Sequence, residues 1–231
     1  AISHFCLPQP DYVIGDVGTT LYRLDGEHWL PQKEWAQQIG HDWQGQDSCV
    51  IKTLLQEVAG LRAQEYHKQN QFKSSYYLPL HSDTEALAAS IQERLRQAGF
   101  KARLIWSIDE PAGVGLLDII PLSASKLHAI EALMKQLDFD RSNTVFCGDS
   151  GNDLEVLTSP IKAVLVANAQ PEIKQQARKM SAHNNCEQEL YVARGDFNGL
   201  NGFYSAGMLE GIAFYFPQAL TWLEKKEAQL S

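Results

Sequence analysis

The run V-F-C-G-D-S-G-N-D, Val145 to Asp153, sets two carboxylates four residues apart around a serine-glycine turn. Its apolar start reads as a strand ending at Gly148, with Asp149 at the strand's carboxyl edge and Asn152 and Asp153 opening the next helix. In open α/β sheets that edge is where ligands bind. Two acids on one tight loop offer hard oxygen donors suited to Mg2+, which keeps several waters and fills its shell from one or two carboxylates and a substrate phosphate. Asp149 and Asp153 are thus candidate metal ligands; the plainer reading makes them a turn residue and a helix cap. Upstream, Lys126 falls in the first turn of a helix whose apolar stripe is Leu127, Ile130, Leu133 and Leu137. A cation there opposes the helix dipole and costs about 0.3–1 kcal/mol unless an anion is near. A bound phosphate would supply one; the alternative is a lysine whose head simply reaches water.

These residues need elements to hold them. From Ser123 onward helix and strand alternate strictly: S-A-S-K-L-H-A-I-E-A-L-M-K-Q-L, T-V-F-C-G-D, N-D-L-E-V-L-T-S, K-A-V-L-V-A-N, P-E-I-K-Q-Q-A-R-K-M. Short apolar strands between helices imply a parallel sheet covered on both faces. The closing segment G-F-Y-S-A-G-M-L-E-G-I-A-F-Y-F predicts an apolar helix, with Gly207 and Gly211 allowing close packing on that sheet. The earlier half differs. Asp11 to Leu24 predicts two short strands around a glycine turn. About Pro31 to Lys68 reads as amphipathic helices, with Trp35, Ile39 and Trp43 and then Val50, Leu54, Leu55, Val58 and Leu61 at helical spacing. F-K-S-S-Y-Y-L-P-L is a strand, a helix follows with Asp83 as N-cap and Gly99 past its last turn, and K-A-R-L-I-W-S-I is a strand again, together an α+β unit. V-G-L-L-D-I-I-P-L is a nearly continuous apolar strand carrying one acid, Asp118.

The 231 residues are 44% hydrophobic, with Lys+Arg 20 against Asp+Glu 28 and a net charge of −8. No basic cluster is long enough to track a phosphate backbone, so nucleic acid is not an expected partner. No apolar run reaches the roughly 18 residues that span a bilayer, and the first residues lack the pattern of a secretory signal. Cys6, Cys49, Cys147 and Cys186 lie far apart, without zinc-ligand spacing to the seven histidines. Reduced thiols and a cytoplasmic location are the expectation.

The order of elements resembles the haloacid dehalogenase superfamily of phosphatases, closest to the sucrose-phosphate phosphatases and relatives acting on other disaccharide phosphates. P-D-Y-V-I-G-D-V-G-T-T-L-Y looks like the strand leading into that family's cap, and N-Q-F-K-S-S-Y-Y-L like a cap strand. L-D-I-I-P-L-S-A-S-K looks like the segment bearing its lysine, V-F-C-G-D-S-G-N-D-L-E-V-L like its metal loop, and V-L-V-A-N-A-Q-P-E-I like the strand and turn after it. The resemblance implies an α/β fold: a parallel-sheet, Rossmann-like haloacid dehalogenase core from residues 1–26 and 116–231, with an inserted α+β cap domain at 27–115. It implies Mg2+-dependent hydrolysis of a sugar phosphate, sucrose 6-phosphate or a related disaccharide phosphate, through an aspartyl-phosphate intermediate. Asp149 would ligate Mg2+ directly and Asp153 through water or as a second ligand. Lys126 would hold the phosphoryl group, Asn152 and Asn168 would line the phosphate pocket, and Asn70 and Lys73 in the cap would face the sugar. For the last two a solvated strand edge is the plainer reading.

D-V-G-T-T, from Asp16, imitates half of a nucleophile motif. The family's D-x-D-x-T supplies an attacking Asp and a second Asp as general acid and base, and no such run occurs in the 231 residues. Gly18 stands where the second acid would be needed to protonate the leaving oxygen. Asp16 is therefore expected to be a turn residue at the rim of the site, with the nucleophile outside this chain. Two strands and two helices would be missing, roughly 40–50 residues, and the expectation is a fragment of a longer phosphatase. The rival is a non-catalytic, phosphatase-like domain that binds sugar phosphate, as in some sucrose-phosphate synthases. G-V-G-L-L-D at Gly113 is a poor dinucleotide fingerprint, since its glycines precede the strand and a third is lacking.

Overall fold

Alternating β-branched and aromatic residues at Tyr12–Gly15 (β1) and Thr20–Asp25 (β2) pair antiparallel, and His28–Pro31 (β3) adds a third strand through a turn with Gly26 at φ +61°. A computed structural model describes residues 8–221, which fall into two compact units dividing between Ile130 and Glu131. In the first unit, α1 (Lys33–Gly40) and a 3-10 turn at His41–Trp43 bury Trp35, Ile39 and Trp43 on the expected face. Helix α2 (Ser48–Leu55), capped by the Asp47 carboxylate on the Cys49 N–H at 2.9 Å, ends sooner than expected. Its buried line is Ile51 and Leu55, while Val50 and Leu54 are half-buried. Past it, Gly60 at φ +86° breaks the helical path, and the chain forms β4 (Arg62–Ala63) and a 3-10 turn at Tyr66–Lys68 instead.

Four antiparallel strands follow the order β4-β5-β7-β6, with β5 at Ser74–Leu78, β6 at Ala102–Asp109 and β7 at Val114–Pro121. Between β5 and β6 runs α3 (Thr84–Gln97), capped by Asp83 on the Ala86 N–H at 3.0 Å and closed by Gly99 at φ +80°. Residues 116–121, which the resemblance assigned to the core, lie in this antiparallel sheet. β7 pairs with β6 along its whole length, from Asp109↔Val114 to Ala102↔Pro121. Strand period divides the sheet's faces. Ser74, Tyr76, Leu117 and Ile119 share one side, and Ser75, Tyr77, Leu116 and Asp118 the other. G-V-G-L-L-D opens an antiparallel strand rather than a helix, which removes the dinucleotide reading.

Helix α4 (Lys126–Gln136) runs into the second unit, where β8 (Val145–Gly148), β9 (Lys162–Leu165) and β10 (Leu190–Val192) form a parallel sheet in the order β10-β9-β8. Helices α5 (Leu154–Leu157) and α6 (Pro171–His183), the latter with proline at its first turn, close one face over Leu157, Ala163, Leu165, Ala169 and Ala177. Central strand β9 is apolar because both its faces are covered: Ala163, Val164 and Leu165 have no exposure. On the opposite face lies α7 (Tyr204–Tyr215). A side chain at Gly207 would strike the Gly202 carbonyl, and one at Gly211 would strike Val164, so both glycines serve close packing as expected. β10 was not expected; three residues after a Glu-rich turn leave no readable period.

Candidate functional site

In the second unit, Asp149 leaves the end of β8 exposed to solvent, whereas Asp153 is 7% exposed and turned inward. Asp153 Oδ2 accepts the N–H of Asp149 and of Ser150, both at 3.2 Å, and the Ser150 hydroxyl at 3.1 Å. Ser150 returns a bond to the Asp153 N–H, a reciprocal cap on the 3-10 turn Gly151–Asp153. Gly148 makes room for this: a Cβ there would lie 2.8 Å from both Asp153 Cβ and Oδ2. The helix-cap reading therefore holds for Asp153. Asp153 caps the loop, and that cap presents Asp149 outward beside exposed Asn152.

The ladder continues past β8 and β9, with the Val166 N–H on the Gly148 carbonyl at 3.2 Å, so Asn168 stands at the same carboxyl edge as Asp149. Asn168 Oδ1 accepts the Tyr204 N–H at 2.7 Å and fastens the start of α7. Sequence reasoning missed Glu210, 2% exposed on α7. It accepts from the Tyr191 hydroxyl at 2.8 Å, the Arg194 N–H at 2.6 Å and the Gly195 N–H at 3.0 Å. Burial opposes its charge, but the Arg194 N–H, the Tyr191 hydroxyl and the Gly195 N–H outweigh that and hold the carboxyl below the usual range. Burial, and then the bond to Glu210, pushes Tyr191 up to about 12. One acid amid apolar helix residues was the signal available. Glu210 ties the loop from Arg194, which carries left-handed Gly195, Asn198, Gly199 and Gly202, to the edge that bears Asn168. Cys147, beside this edge on β8, stays a thiol, since burial raises it to about 11.

In the first unit, the Ser125 hydroxyl caps α4 on the His128 N–H at 3.1 Å, which makes Lys126 the first helical residue, as expected. Asn70, Lys73 and Asp16 come together around the β1–β2 turn. The Asn70 amide donates to Thr19 Oγ1 at 2.9 Å and its oxygen accepts the Phe72 N–H at 2.8 Å. Lys73 Nζ lies 3.1 Å from Asp16 Oδ1, with the lysine side chain 11% and the aspartate 41% exposed. The turn is strained: Asp16, Val17 and Gly18 have φ of +50°, +61° and +94°. A β-branched residue there is an outlier costing roughly 1–2 kcal/mol. Gly18 is required twice over, by its φ and because a Cβ would lie 2.5 Å from the Ser125 carbonyl oxygen. Its own carbonyl accepts the Trp35 indole N–H at 3.1 Å. Asp16 is thus a turn residue, as expected, and its ion pair with Lys73 is what the sequence did not show.

The sequence profile of the sucrose-6F-phosphate phosphohydrolase family matches residues 1–216. The chain belongs to that family. Among its relatives, a HAD-like hydrolase of Nitrosococcus oceani is 50% identical over 225 residues, spanning 97% of this chain and 60% of that protein. The mannosylfructose-phosphate phosphatase of Agrobacterium fabrum is 34% identical over 168 residues, 72% of this chain and 63% of its own length. This member therefore spans under two thirds of the curated relatives it matches. The crystal structure of the Synechocystis sucrose-phosphatase in complex with sucrose and phosphate superposes with a TM-score of 0.68 at 24% identity, covering 93% of this chain and 78% of that one. That likeness shows the fold, an α/β fold with a parallel sheet.

Among the described residues of this family member no group of three or more His, Cys, Asp or Glu side chains is arranged for a metal ion. The loop nonetheless fits Mg2+. That ion needs only one or two carboxylates when water and phosphate oxygens complete its shell, and Asp149 presents an exposed carboxylate on a loop whose shape a second acid maintains.

Proposed function

We propose that this chain belongs to an enzyme that hydrolyses a disaccharide phosphate, sucrose 6-phosphate or mannosylfructose phosphate, with Mg2+. The observation that carries the reading is the exposed Asp149 carboxylate on its Asp153-braced loop at the carboxyl edge of a parallel sheet. In this reading Asp149 and Asp153 would hold Mg2+, and Asn152 and Asn168 would hold phosphate oxygens. When bound, the ion neutralises charge developing on the phosphoryl oxygens. Lys126 supplies a fixed cation for the same group, which its place at a helix N-terminus favours once an anion is bound. The attacking carboxylate belongs to an aspartate outside these 231 residues, consistent with the missing D-x-D-x-T run; it takes the phosphoryl group as the P–O bond to the sugar breaks and the protonated sugar hydroxyl leaves, and water then cleaves the aspartyl-phosphate to free carboxylate and inorganic phosphate. Residues 27–115, with the remainder of β7, act as the cap, and Asn70 and Lys73 serve the sugar.

The missing run also favours a second reading, a domain that binds sugar phosphate without turning it over. Both are tested by phosphate release from sucrose 6-phosphate by the protein that carries this chain. The enzyme reading expects release only with Mg2+ and none from Asp149→Ala. Undiminished release by that variant removes the metal assignment, and binding without release at any Mg2+ concentration selects the second reading.

A further inference from the structure

A turn from Leu122 to Ser125 joins β7 to α4, and Lys126 follows it. Ser123 is the residue of that turn which the rest of the unit holds. Its N–H donates to Asp42 Oδ2 at 2.6 Å, and its carbonyl meets His128 Nδ1 at 2.6 Å. The Ser123 hydroxyl is buried with no partner among the described residues, so backbone bonds, not the side chain, set its place. The His128 ring has a second tie. Its Nε2 lies 2.7 Å from the Gln38 amide nitrogen on α1, and the ring stands edge-on to buried Trp35 with centroids 5.1 Å apart. A carbonyl oxygen only accepts and an amide nitrogen only donates. The imidazole is therefore neutral, with its proton on Nδ1 and its lone pair on Nε2. The His128 backbone N–H donates in turn to the Ser125 hydroxyl at 3.1 Å. One residue thus grips the turn at Ser123 and at Ser125, on the two sides of which Asp42 and Lys126 stand in the chain of bonds.

We propose that His128 is a positioning residue for Lys126: its ring holds the Ser123 carbonyl against α1 and so fixes the point at which the lysine enters α4. The inference rests on the reading of Lys126 as the cation for the phosphoryl group, and it adds a residue that touches neither substrate nor ion. A fixed charge stabilises developing charge best when nothing has to rearrange at the moment of reaction. A lysine side chain is long and rich in rotamers, so the backbone that carries it must be held if the ammonium is to be pre-placed. With the Asp42 bond alone, Ser123 is free to pivot about its N–H. The imidazole, anchored by Gln38 at its far nitrogen, removes that freedom. A misplacement of about 1 Å at a reacting group costs about a hundredfold in rate, so a modest loosening of this turn is enough to be read in turnover.

The test uses the protein that carries this chain, with two readouts: phosphate release from sucrose 6-phosphate with Mg2+, and calorimetric titration of inorganic phosphate with Mg2+. The variants are His128→Ala, His128→Asn, Lys126→Met and the double variant His128→Ala/Lys126→Met, each assayed well below its melting temperature and checked for native circular dichroism. Asparagine puts an amide donor where Nδ1 stands. His128→Ala is expected to lower kcat roughly tenfold, and His128→Asn to recover part of that loss. The double variant should be no worse than Lys126→Met in either readout. Wild-type kcat in His128→Ala, or the full His128→Ala loss repeated on top of Lys126→Met, overturns the role and leaves the phosphatase reading standing. Nitrogen NMR of the wild-type imidazole should show the Nδ1–H tautomer at neutral pH; an Nε2–H tautomer overturns the contact on which the role depends. If the wild type releases no phosphate at any Mg2+ concentration, the enzyme reading fails, and the phosphate Kd values of the same variants decide the role of His128 by the same pattern. A wild type that neither releases nor binds phosphate removes the reading of Lys126 and this inference with it.

Discussion

Asp153 Oδ2 accepts the Asp149 backbone N–H at 3.2 Å, so the second acid of the loop fixes the position of the first. The two should respond differently to truncation. Asp153→Ala strands the Asp149 and Ser150 N–H groups and the Ser150 hydroxyl, and is expected to cost about 2–4 kcal/mol of folding stability. Asp149→Ala removes an exposed side chain and should change stability by no more than about 0.5 kcal/mol. Chemical denaturation of both variants checks this; equal destabilisation would mean that the loop is not held by Asp153.

Gly211 packs against Val164 with no room for a methyl group. Gly211→Ala is expected to lose about 1–3 kcal/mol through overpacking, despite the better helix propensity of alanine. Val164→Ala makes space at the same contact while leaving a cavity of its own. The double variant should therefore be less destabilised than the two single losses added, and a double-mutant cycle by thermal denaturation reads the coupling directly.

Glu210 and Tyr191 predict opposite pH limbs. Glu210 has a folded pKa below its unfolded value, so its stabilisation is complete above about pH 4.3 and fades as pH falls through the depressed folded value. Tyr191 is raised to about 12. Its contribution is complete below about pH 10 and is lost as pH climbs from there toward the folded value. Tyr191→Phe should lose about 1 kcal/mol at neutral pH and show a shallower alkaline decline. Tyr215, also raised to about 12, chiefly by burial, and Cys147, raised to about 11 by burial, contribute to the same limb. An alkaline limb unchanged by Tyr191→Phe would show that the hydroxyl is not coupled to folding.

Long-period signals are legible in the amino-acid sequence by itself. The Trp35, Ile39 and Trp43 stripe, the Asp83 cap with Gly99 behind it, the paired glycines of α7 and the alternation after Ser123 each repeat a local pattern that backbone geometry enforces. Short or borrowed elements are not. β4 and β10 owe their conformation to a neighbouring strand, since two or three residues carry no period of their own. β7 reads as a buried strand in any sheet, and hydrogen bonding to β5 and β6 assigns it to the antiparallel one.

Family membership, the carboxylate loop and the position of Lys126 at a helix start are written in contiguous residues, because a tight turn and a helix cap depend on neighbours within four positions. Contacts distant along the chain decide the rest. That Asp153 spends one oxygen on backbone donors is settled by how Gly148 lets it fold inward. That Glu210 is buried among three donors, and that Asp16 meets Lys73 57 positions away, follows from packing. A charged side chain leaves water only where a partner has been carried to it, and a linear order of residues does not name that partner.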